Sequence, residues 1–201
     1  MTEVSAQEVK ALREATGAGM MDCKRALAEA KGDVVRATEI LREKGLASAA
    51  KRAGRAANMG VIESYVHFNR TVGVLLELNC ETDFVANTDE FRDLARDVAL
   101  HIASLSPRYV SREEVPDDVI EGERKIAEVQ ARDLGKPDHV LPAIIEGKLK
   151  AFFGEVVLLD QPFVKDDKKT IQQVLDEVGA KVGERIAVRR FARFRVGDEN
   201  A

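Results

Sequence analysis

The stretch VIESYVHFNRTVGVLLELN, residues 61–79, predicts a β-hairpin and decides the fold class. Residues 61–67 and 71–79 have the composition of strands, and the residues between them are typical of a turn. One face of the second strand collects alternating apolar side chains: Val72, Val74, Leu76 and Leu78. A sheet with one apolar face needs other elements to cover it, so we expect helices packed against this hairpin.

Downstream segments predict the elements that complete and cover this sheet. After a connection over residues 80–87, Asn87 or Thr88 caps an amphipathic helix that Pro107 stops. Its apolar stripe has helical spacing: Phe91, Leu94, Ala95, Val98 and Ile102. Residues 186–196 predict a third strand that pairs with the hairpin and carries four residues on one face: Ile186, Val188, Phe194 and Val196. This larger part of the chain is therefore predicted to be α+β, a small antiparallel β-sheet core packed with helices.

The N-terminal segment predicts three helices and no strand. Ser5 and Glu8 form the S-x-x-E pattern of a capping box, which marks the start of the first helix. The glycines of segment 16–19 break the chain before a second helix that begins at about Asp22. Asp33 then caps a third helix.

A change of composition divides the chain into two predicted domains, residues 1–54 and 55–201. Gly45 is expected to close the third helix, and the Ala-rich, basic stretch 45–58 predicts a linker helix between the domains. Residues 112–153 are highly charged and predicted to be mostly helical, with no function assigned beyond packing or partner contact.

Composition is typical of a globular protein. The 201 residues are 45% hydrophobic and 33% charged, with a formal net charge of −4. No apolar run approaches the roughly 18 residues that a membrane helix needs. The first residues also lack the basic and then apolar regions of a signal peptide. We therefore expect a cytoplasmic protein that makes no membrane contact.

Two basic clusters raise the alternative of nucleic-acid binding. They are Lys51, Arg52 and Arg55 in the linker, and Arg189, Arg190, Arg193 and Arg195 in the last strand. The negative net charge, the lack of Trp and the presence of only two Tyr oppose this alternative. Nucleic-acid binders usually carry a positive surplus and aromatic side chains for base stacking. A solvated basic face is favoured, and we expect no nucleic-acid partner.

A catalytic cysteine is the second alternative. Cys80 could pair with His67, His101 or His139 as a nucleophile, but each histidine is isolated in the sequence, and the cysteine spacing fits no metal motif. Cys80 also ends a mostly apolar strand, which favours a buried thiol. We expect no catalytic residue, no metal and no cofactor.

Two segments carry candidate binding residues. Asp83 and Phe84 lie between a strand and a helix, where Phe84 either projects as an apolar knob or packs under the connection. Spacing alone favours the packed position. The Gly-Ala-Gly sequence at 17–19 follows no strand and fits no phosphate-loop pattern, so it predicts a turn between helices. Met20 and Met21 follow it and suit an adaptable contact surface, although we expect one of them in the core.

Four segments resemble signature segments of the elongation factor Ts family, in that family's order. They are LREATGAGMMDCKRAL (12–27), ELNCETDFVA (77–86), LLDQPFVKDD (158–167) and RRFARFRVG (189–197). With the general pattern, the resemblance covers nearly the whole chain. It implies a guanine-nucleotide exchange factor that binds elongation factor Tu with its GDP, performs no catalytic chemistry and does not itself bind nucleotide.

The resemblance also implies where the partner binds. Residues 1–54 would form a ubiquitin-associated-like domain that docks on the GTPase domain of elongation factor Tu, with candidate contacts from Arg13, Met20 and Met21. The loop 80–87 would insert between two helices of that GTPase through four residues: Thr82, Asp83, Phe84 and Val85. The insertion would disturb the magnesium and phosphate site of the partner and loosen GDP.

Two departures from the family pattern modify these expectations. Asn87 stands where the family often has arginine, so a charged contact at the rim of the site is expected to be missing. The chain is also short, with a single core where long members of the family hold two related halves. By resemblance to short members it is expected to form a homodimer, and we expect self-pairing through the exposed edge of the strand 186–196.

Overall fold

The computed structural model describes residues 4–135 and 137–198. Its helices are α1 (Ala6–Thr16), α2 (Met20–Glu29), α3 (Val34–Arg52), α4 (Asp83–Ala86), α5 (Asp89–Leu105), α6 (Asp117–Asp133), α7 (Leu141–Val156) and α8 (Ile171–Val182). Its strands are β1 (Met59–Val66), β2 (Val72–Cys80), β3 (Pro162–Phe163), β4 (Asp166–Thr170) and β5 (Ala187–Arg195). Helices combined with a small antiparallel sheet confirm the α+β class.

The main sheet has the strand order β1–β2–β5, so β5 lies at an edge. The N–H of His67 donates to the carbonyl oxygen of Val72 at 2.9 Å and closes the hairpin. The N–H of Val196 donates to the carbonyl oxygen of Thr71, also at 2.9 Å. The strands β1 and β5 therefore both run antiparallel to β2. This confirms the predicted pairing of the hairpin with the third strand. A separate ladder joins β3 and β4.

Contacts group the chain into two compact units, and the sequence passes between them several times. The first unit holds the described residues up to Val61, together with Leu78–Asp93 and Gln173–Ala187. The second holds Ile62–Glu77, Leu94–Gln172 and the described residues from Val188 onward. The domain boundary at residue 54 stays a prediction, because the first unit combines segments from both sides of it.

Within the first unit, α1, α2 and α3 enclose a core of their own. The Ser5 Oγ accepts the N–H of Glu8 at 3.2 Å, and the Glu8 carboxylate accepts the N–H of Ser5 at 2.9 Å, which confirms the capping box. The buried residues of this core are Val9, Leu12, Cys23, Ala26, Leu27, Ala37 and Ile40. All three predicted helices are present, and the likeness to a ubiquitin-associated domain stays a prediction.

Two predicted helix boundaries are wrong. The helix α3 continues through Gly45 to Arg52, because an interior glycine weakens a helix by only about 1 kcal/mol and the alanine-rich chain beyond it favours helix. The helix α2 begins at Met20, directly after its N-cap Gly19, and not near Asp22.

The predicted apolar faces are buried where other elements cover them. Three alternating residues of β2 are at most 3% exposed: Val74, Leu76 and Leu78. The five stripe residues predicted for α5 are at most 5% exposed. In the segment predicted as the third strand, residues 186–196, Ile186 and Val188 are buried, whereas Phe194 and Val196 are 55% and 75% exposed. Arg189 and Arg190 are both exposed and interrupt the alternation of burial along β5, so the period of two did not predict which of its side chains are covered.

Residues 112–153 contain most of the helical pair α6 and α7, which pack against each other in the second unit. The helical prediction for this region is confirmed. Within the described residues, none of the helices combines the length and the apolar character that crossing a membrane requires.

A buried polar network surrounds His101 in the second unit. Its Nδ1 accepts the N–H of Val164 at 3.2 Å, and its Nε2 lies 2.9 Å from Oε1 of Gln161. Gln161 donates through its Nε2 to the carbonyl oxygen of Glu155 at 2.6 Å, so its Oε1 is the acceptor and His101 the donor. The ring is therefore neutral, and burial lowers the pKa of His101 although the Gln161 hydrogen bond opposes that shift.

We expect the free energy of unfolding to fall as the pH drops below about 6.5, the ordinary pKa of histidine. Because the pKa of His101 is lowered in the folded state, the unfolded chain binds this proton first. The stability lost on the way down to the folded-state pKa is at most about 1.4 kcal/mol per pH unit for this one group. Urea unfolding at several pH values measures the slope.

The matched variants are His101→Gln and His139→Gln, since His139 is exposed. The first should flatten the pH dependence, whatever its stability at neutral pH, and the second should retain the slope of the natural protein. Equal slopes in all three proteins would contradict the assignment to His101.

Candidate functional site

The predicted loop over residues 80–87 contains one helical turn, α4, and we name the segment 82–87 the Phe84 turn. Thr82 caps it, because its Oγ1 accepts the N–H of Val85 at 3.4 Å. Asp83 occupies the first position of the turn, where a negative charge is favourable at a helix N-terminus. The predicted loop therefore contains a capped helical turn.

The Phe84 turn has one face inside the protein and one face in solvent. Val85 and Ala86 are buried at 9% and 4% exposure, whereas the Phe84 side chain is 82% exposed and Asp83 is also exposed. The favoured interpretation from spacing, a Phe84 packed under the connection, is wrong because Val85 and Ala86 fill the inward positions of the turn. A large exposed apolar side chain on a capped turn marks a candidate contact site.

A positive charge is held at the C-terminal end of this turn. The Nδ2 of Asn87 donates to the carbonyl oxygen of Asp83 at 2.9 Å. The Oδ1 of Asn87 accepts from Nη2 of Arg92 at 2.8 Å. Although Asn87 itself carries no charge, it therefore brings the guanidinium of Arg92, a residue of α5, to the rim of the Phe84 turn.

Two glutamates join the Phe84 turn to the segment between α8 and β5. The Glu184 carboxylate accepts the N–H groups of Glu81 and Thr82 at 3.0 and 3.1 Å and the Thr82 hydroxyl at 2.6 Å. The Glu81 carboxylate accepts the N–H of Arg185 at 2.6 Å and Nη1 of Arg55 at 3.2 Å. The Arg185 hydrogen bond is the main cause that lowers the pKa of Glu81, with Arg55 adding to it against burial. We name this reciprocal pair, Glu81 and Glu184, the carboxylate clamp.

Cys80 directly precedes Glu81 of the clamp and is fully buried. Its Sγ donates to the carbonyl oxygen of Thr82 at 3.1 Å. Burial raises the pKa of the Cys80 thiol, and the negative charges of Glu184 and Asp83 raise it further. The thiol therefore stays protonated near neutral pH, whereas the thiolate is the form that acts as nucleophile. This protonation state opposes a nucleophilic role for Cys80.

The candidate residues of the N-terminal helices are all on the surface. Arg13 is exposed on α1, and Met20 and Met21 are 47% and 63% exposed at the start of α2. The expectation that one methionine is in the core is wrong. Both lie in the first turn of α2, ahead of the residues that form its buried stripe: Cys23, Ala26 and Leu27.

Lys181 connects these helices to the start of α5 within the first unit. Gly17 caps α1 with φ of 66°, and a side chain there would collide with the aliphatic stem of Lys181. The Lys181 ammonium lies 3.4 Å from the Glu90 carboxylate. The candidate residues of α1 and α2 and the Phe84 turn therefore belong to one unit. The sequence motifs by themselves do not predict this.

Several residues of the predicted basic clusters have partners inside the chain. Arg52 is 6% exposed and donates to the Ser48 hydroxyl at 2.5 Å. Arg190 pairs with Glu77 at 2.7 Å. These contacts give the basic residues structural roles, and the absence of a nucleic-acid partner stays a prediction. Among the described residues, no group of three or more His, Cys, Asp or Glu is arranged to hold a metal ion.

Comparison with known proteins gives one consistent family. The family model described as elongation factor TS matches residues 2–199. Elongation factor Ts of Desulforamulus reducens is 56% identical over 198 residues, which cover 98% of this chain and 91% of that protein. The proteins of the same name from Carboxydothermus hydrogenoformans and Fervidobacterium nodosum are 57% identical over 195 residues and 58% identical over 196 residues. These alignments cover 97% and 98% of this chain and 90% and 100% of those relatives.

Proposed function

This chain belongs to the elongation factor Ts family, and we propose that it releases GDP from elongation factor Tu by inserting the Phe84 turn near the magnesium and phosphate site. Guanine-nucleotide exchange in protein biosynthesis is the general function of the family. The observation that carries the proposal is the 82% exposure of Phe84 on a turn whose neighbouring residues are buried.

Exchange requires a coupling between two binding equilibria. The factor binds a form of the GTPase that holds GDP poorly, and by linkage GDP weakens the binding of the factor by the same free energy. Burying Phe84 in the partner contributes about 1.5–3 kcal/mol, or roughly ten- to a hundredfold in an equilibrium constant. Asp83 lies beside it, where it can accept hydrogen bonds from the partner or repel a phosphate group.

Further contacts must hold this wedge in place, because a single phenylalanine does not supply enough free energy to displace a tightly bound nucleotide. Arg13, Met20 and Met21 supply them in this proposal, on a ubiquitin-associated-like unit that docks on the GTPase domain. Their exposure supports this role, and methionine side chains adapt well to a partner surface. We further propose a cytoplasmic location, and no bound nucleotide, cofactor or catalytic step on this chain.

The direct test loads elongation factor Tu with fluorescent GDP, chases with unlabelled GDP and follows fluorescence with and without this protein. We expect faster release that saturates as the concentration of the protein rises. Release at the unassisted rate with a partner from a closely related organism would refute the proposed function.

A homodimer through the sheet is the second part of the proposal. Four apolar side chains on the sheet are at least 50% exposed: Ile62, Val66, Leu75 and Phe194. Arg190 and Glu77 form an ion pair, so their side chains lie on the same side of the sheet. Phe194 is four residues from Arg190 and Leu75 is two residues from Glu77, so Phe194 and Leu75 lie on that side as well. An exposed apolar face of this kind supports association, and it favours contact through the face of the sheet in addition to the edge of β5.

We expect Phe194→Asp to raise the dissociation constant of this dimer at least about tenfold, because a charge would enter an apolar contact. Light scattering and sedimentation at micromolar concentration measure the mass. The matched control is Phe68→Asp, since Phe68 is 87% exposed in the hairpin turn and lies outside the three strands of the sheet. A natural protein that is already a monomer at these concentrations would rule the dimer out.

A further inference from the structure

We infer that Glu184 is a positioning residue for nucleotide exchange, because its carboxylate sets the orientation of the Phe84 turn. This inference rests on the proposed function. Glu184 itself is half-buried, and its hydrogen bonds go to Glu81 and Thr82, so in this inference it acts through Thr82 and the turn that Thr82 caps.

The geometry of Glu184 is that of a bridge between distant parts of the sequence. Its three hydrogen bonds, at 2.6 to 3.1 Å, reach the Glu81 and Thr82 backbone and the Thr82 hydroxyl across more than 100 residues of sequence. Gly183, with φ of 78°, reverses the chain after α8. Buried Ile186 then anchors the segment on the other side. The carboxylate is therefore held by both flanks of a short connection.

The same hydroxyl that donates to Glu184 also caps the Phe84 turn. Thr82 Oγ1 donates to Glu184 at 2.6 Å and accepts the N–H of Val85 at 3.4 Å. Glu184 thus fixes the direction in which the hydroxyl lone pairs point, and with it the first hydrogen bond of α4. Because α4 is a single turn, it has little helical cooperativity of its own and depends on such outside contacts.

Loss of the Glu184 carboxylate should leave two half-buried N–H groups without their charged acceptor, which disfavours the observed backbone. Val85 can still occupy its buried position, so the turn need not leave the surface of the protein. The orientation of the exposed Phe84 relative to the N-terminal helices is then no longer set. We expect binding to survive better than the step that loosens GDP.

The experiment compares Glu184→Ala, Glu184→Gln and the natural protein in the fluorescent GDP assay over a range of factor concentrations. For Glu184→Ala we expect the maximal rate to fall about tenfold and the half-saturating concentration to change less than about threefold. Glutamine retains one oxygen for the two N–H groups and an amide that can donate to the Thr82 hydroxyl. Glu184→Gln should therefore keep the maximal rate within about threefold of the natural protein.

Glu146→Ala is the matched control, since Glu146 is exposed on α7, and its exchange kinetics should equal those of the natural protein. Thr82→Val supplies a second variant if Glu184→Ala does not fold. Valine keeps the branched shape but removes the hydroxyl, and we expect the same fall in maximal rate. Unchanged maximal rates for both Glu184→Ala and Thr82→Val would overturn the inference.

A second readout separates this inference from the proposed function. Amide hydrogen exchange of the free protein should become faster at Glu81, Thr82 and Val85 in Glu184→Ala, with protection retained in the middle of α5. If the natural protein does not accelerate GDP release, the proposed function fails. Amide hydrogen exchange then still tests whether Glu184 positions the Phe84 turn. Unchanged protection of the three amides would show that Glu184 does not position the turn.

Discussion

Phe84→Ala is expected to lower the maximal rate of GDP release by about ten- to a hundredfold, with the protein still folded. The side chain is 82% exposed in the free protein, so its removal leaves no cavity in this chain and costs little stability. In the complex the same ring would be buried, and alanine would forfeit that burial where the nucleotide site is disturbed. Stopped-flow release of fluorescent GDP at saturating factor measures the effect.

Phe68→Ala is the matched control for this experiment. Phe68 is 87% exposed at the hairpin turn in the second unit, so it tests the loss of an exposed phenylalanine elsewhere. We expect its exchange kinetics to equal those of the natural protein. If Phe84→Ala also exchanges at the natural rate, the wedge is not Phe84, and Asp83 or the N-terminal helices must carry the effect.

Leu27→Ala is expected to destabilise the N-terminal helices by about 2–5 kcal/mol. Leu27 is fully buried on α2 and belongs to a small core in which seven of the described residues are buried. A cavity there therefore removes a large share of the apolar contacts of this core. A loss of this size is comparable with the whole stability of many small units. We expect these helices to open before the rest of the protein.

Hydrogen exchange of α1, α2 and α3, together with thermal unfolding, measures this effect. Lys24→Ala is the control, since Lys24 is exposed on the same helix, and we expect it to change stability by no more than about 0.5 kcal/mol. In the exchange assay, Leu27→Ala should raise the half-saturating concentration more than it lowers the maximal rate. If Leu27→Ala unfolds with the same stability as the natural protein, Leu27 does not stabilise this core as proposed.

Local patterns predicted most of the elements because their physical causes are local. The capping box at Ser5, the alternation along β2 and the stripe of α5 each depend on residues about two to four positions apart. The errors have local causes as well. A glycine such as Gly45 weakens a helix without ending it. The second helix was expected at about Asp22, but it begins at Met20, directly after the break at 16–19.

The candidate site was only partly predictable from these patterns. Its residues were identified by resemblance, but spacing favoured a packed Phe84, and the two methionines were not expected to be exposed together. Exposure depends on what the rest of the chain places over a side chain. Val85 and Ala86 occupy the inward positions of α4 and leave Phe84 exposed. The spacing of apolar residues does not predict which of them is buried in this way.

The sequence by itself determined the α+β class, the order of the first three helices, the hairpin, α5 and the last strand, and the family to which the chain belongs. Only the tertiary structure decided that Glu184 reaches Thr82, that Arg92 reaches Asn87 and that Phe84 and Phe194 face solvent. The physical reason is the range of the interactions. Helical and strand periodicity reflects backbone geometry over a few residues, whereas a carboxylate that accepts hydrogen bonds across more than 100 residues does so only after both segments have packed.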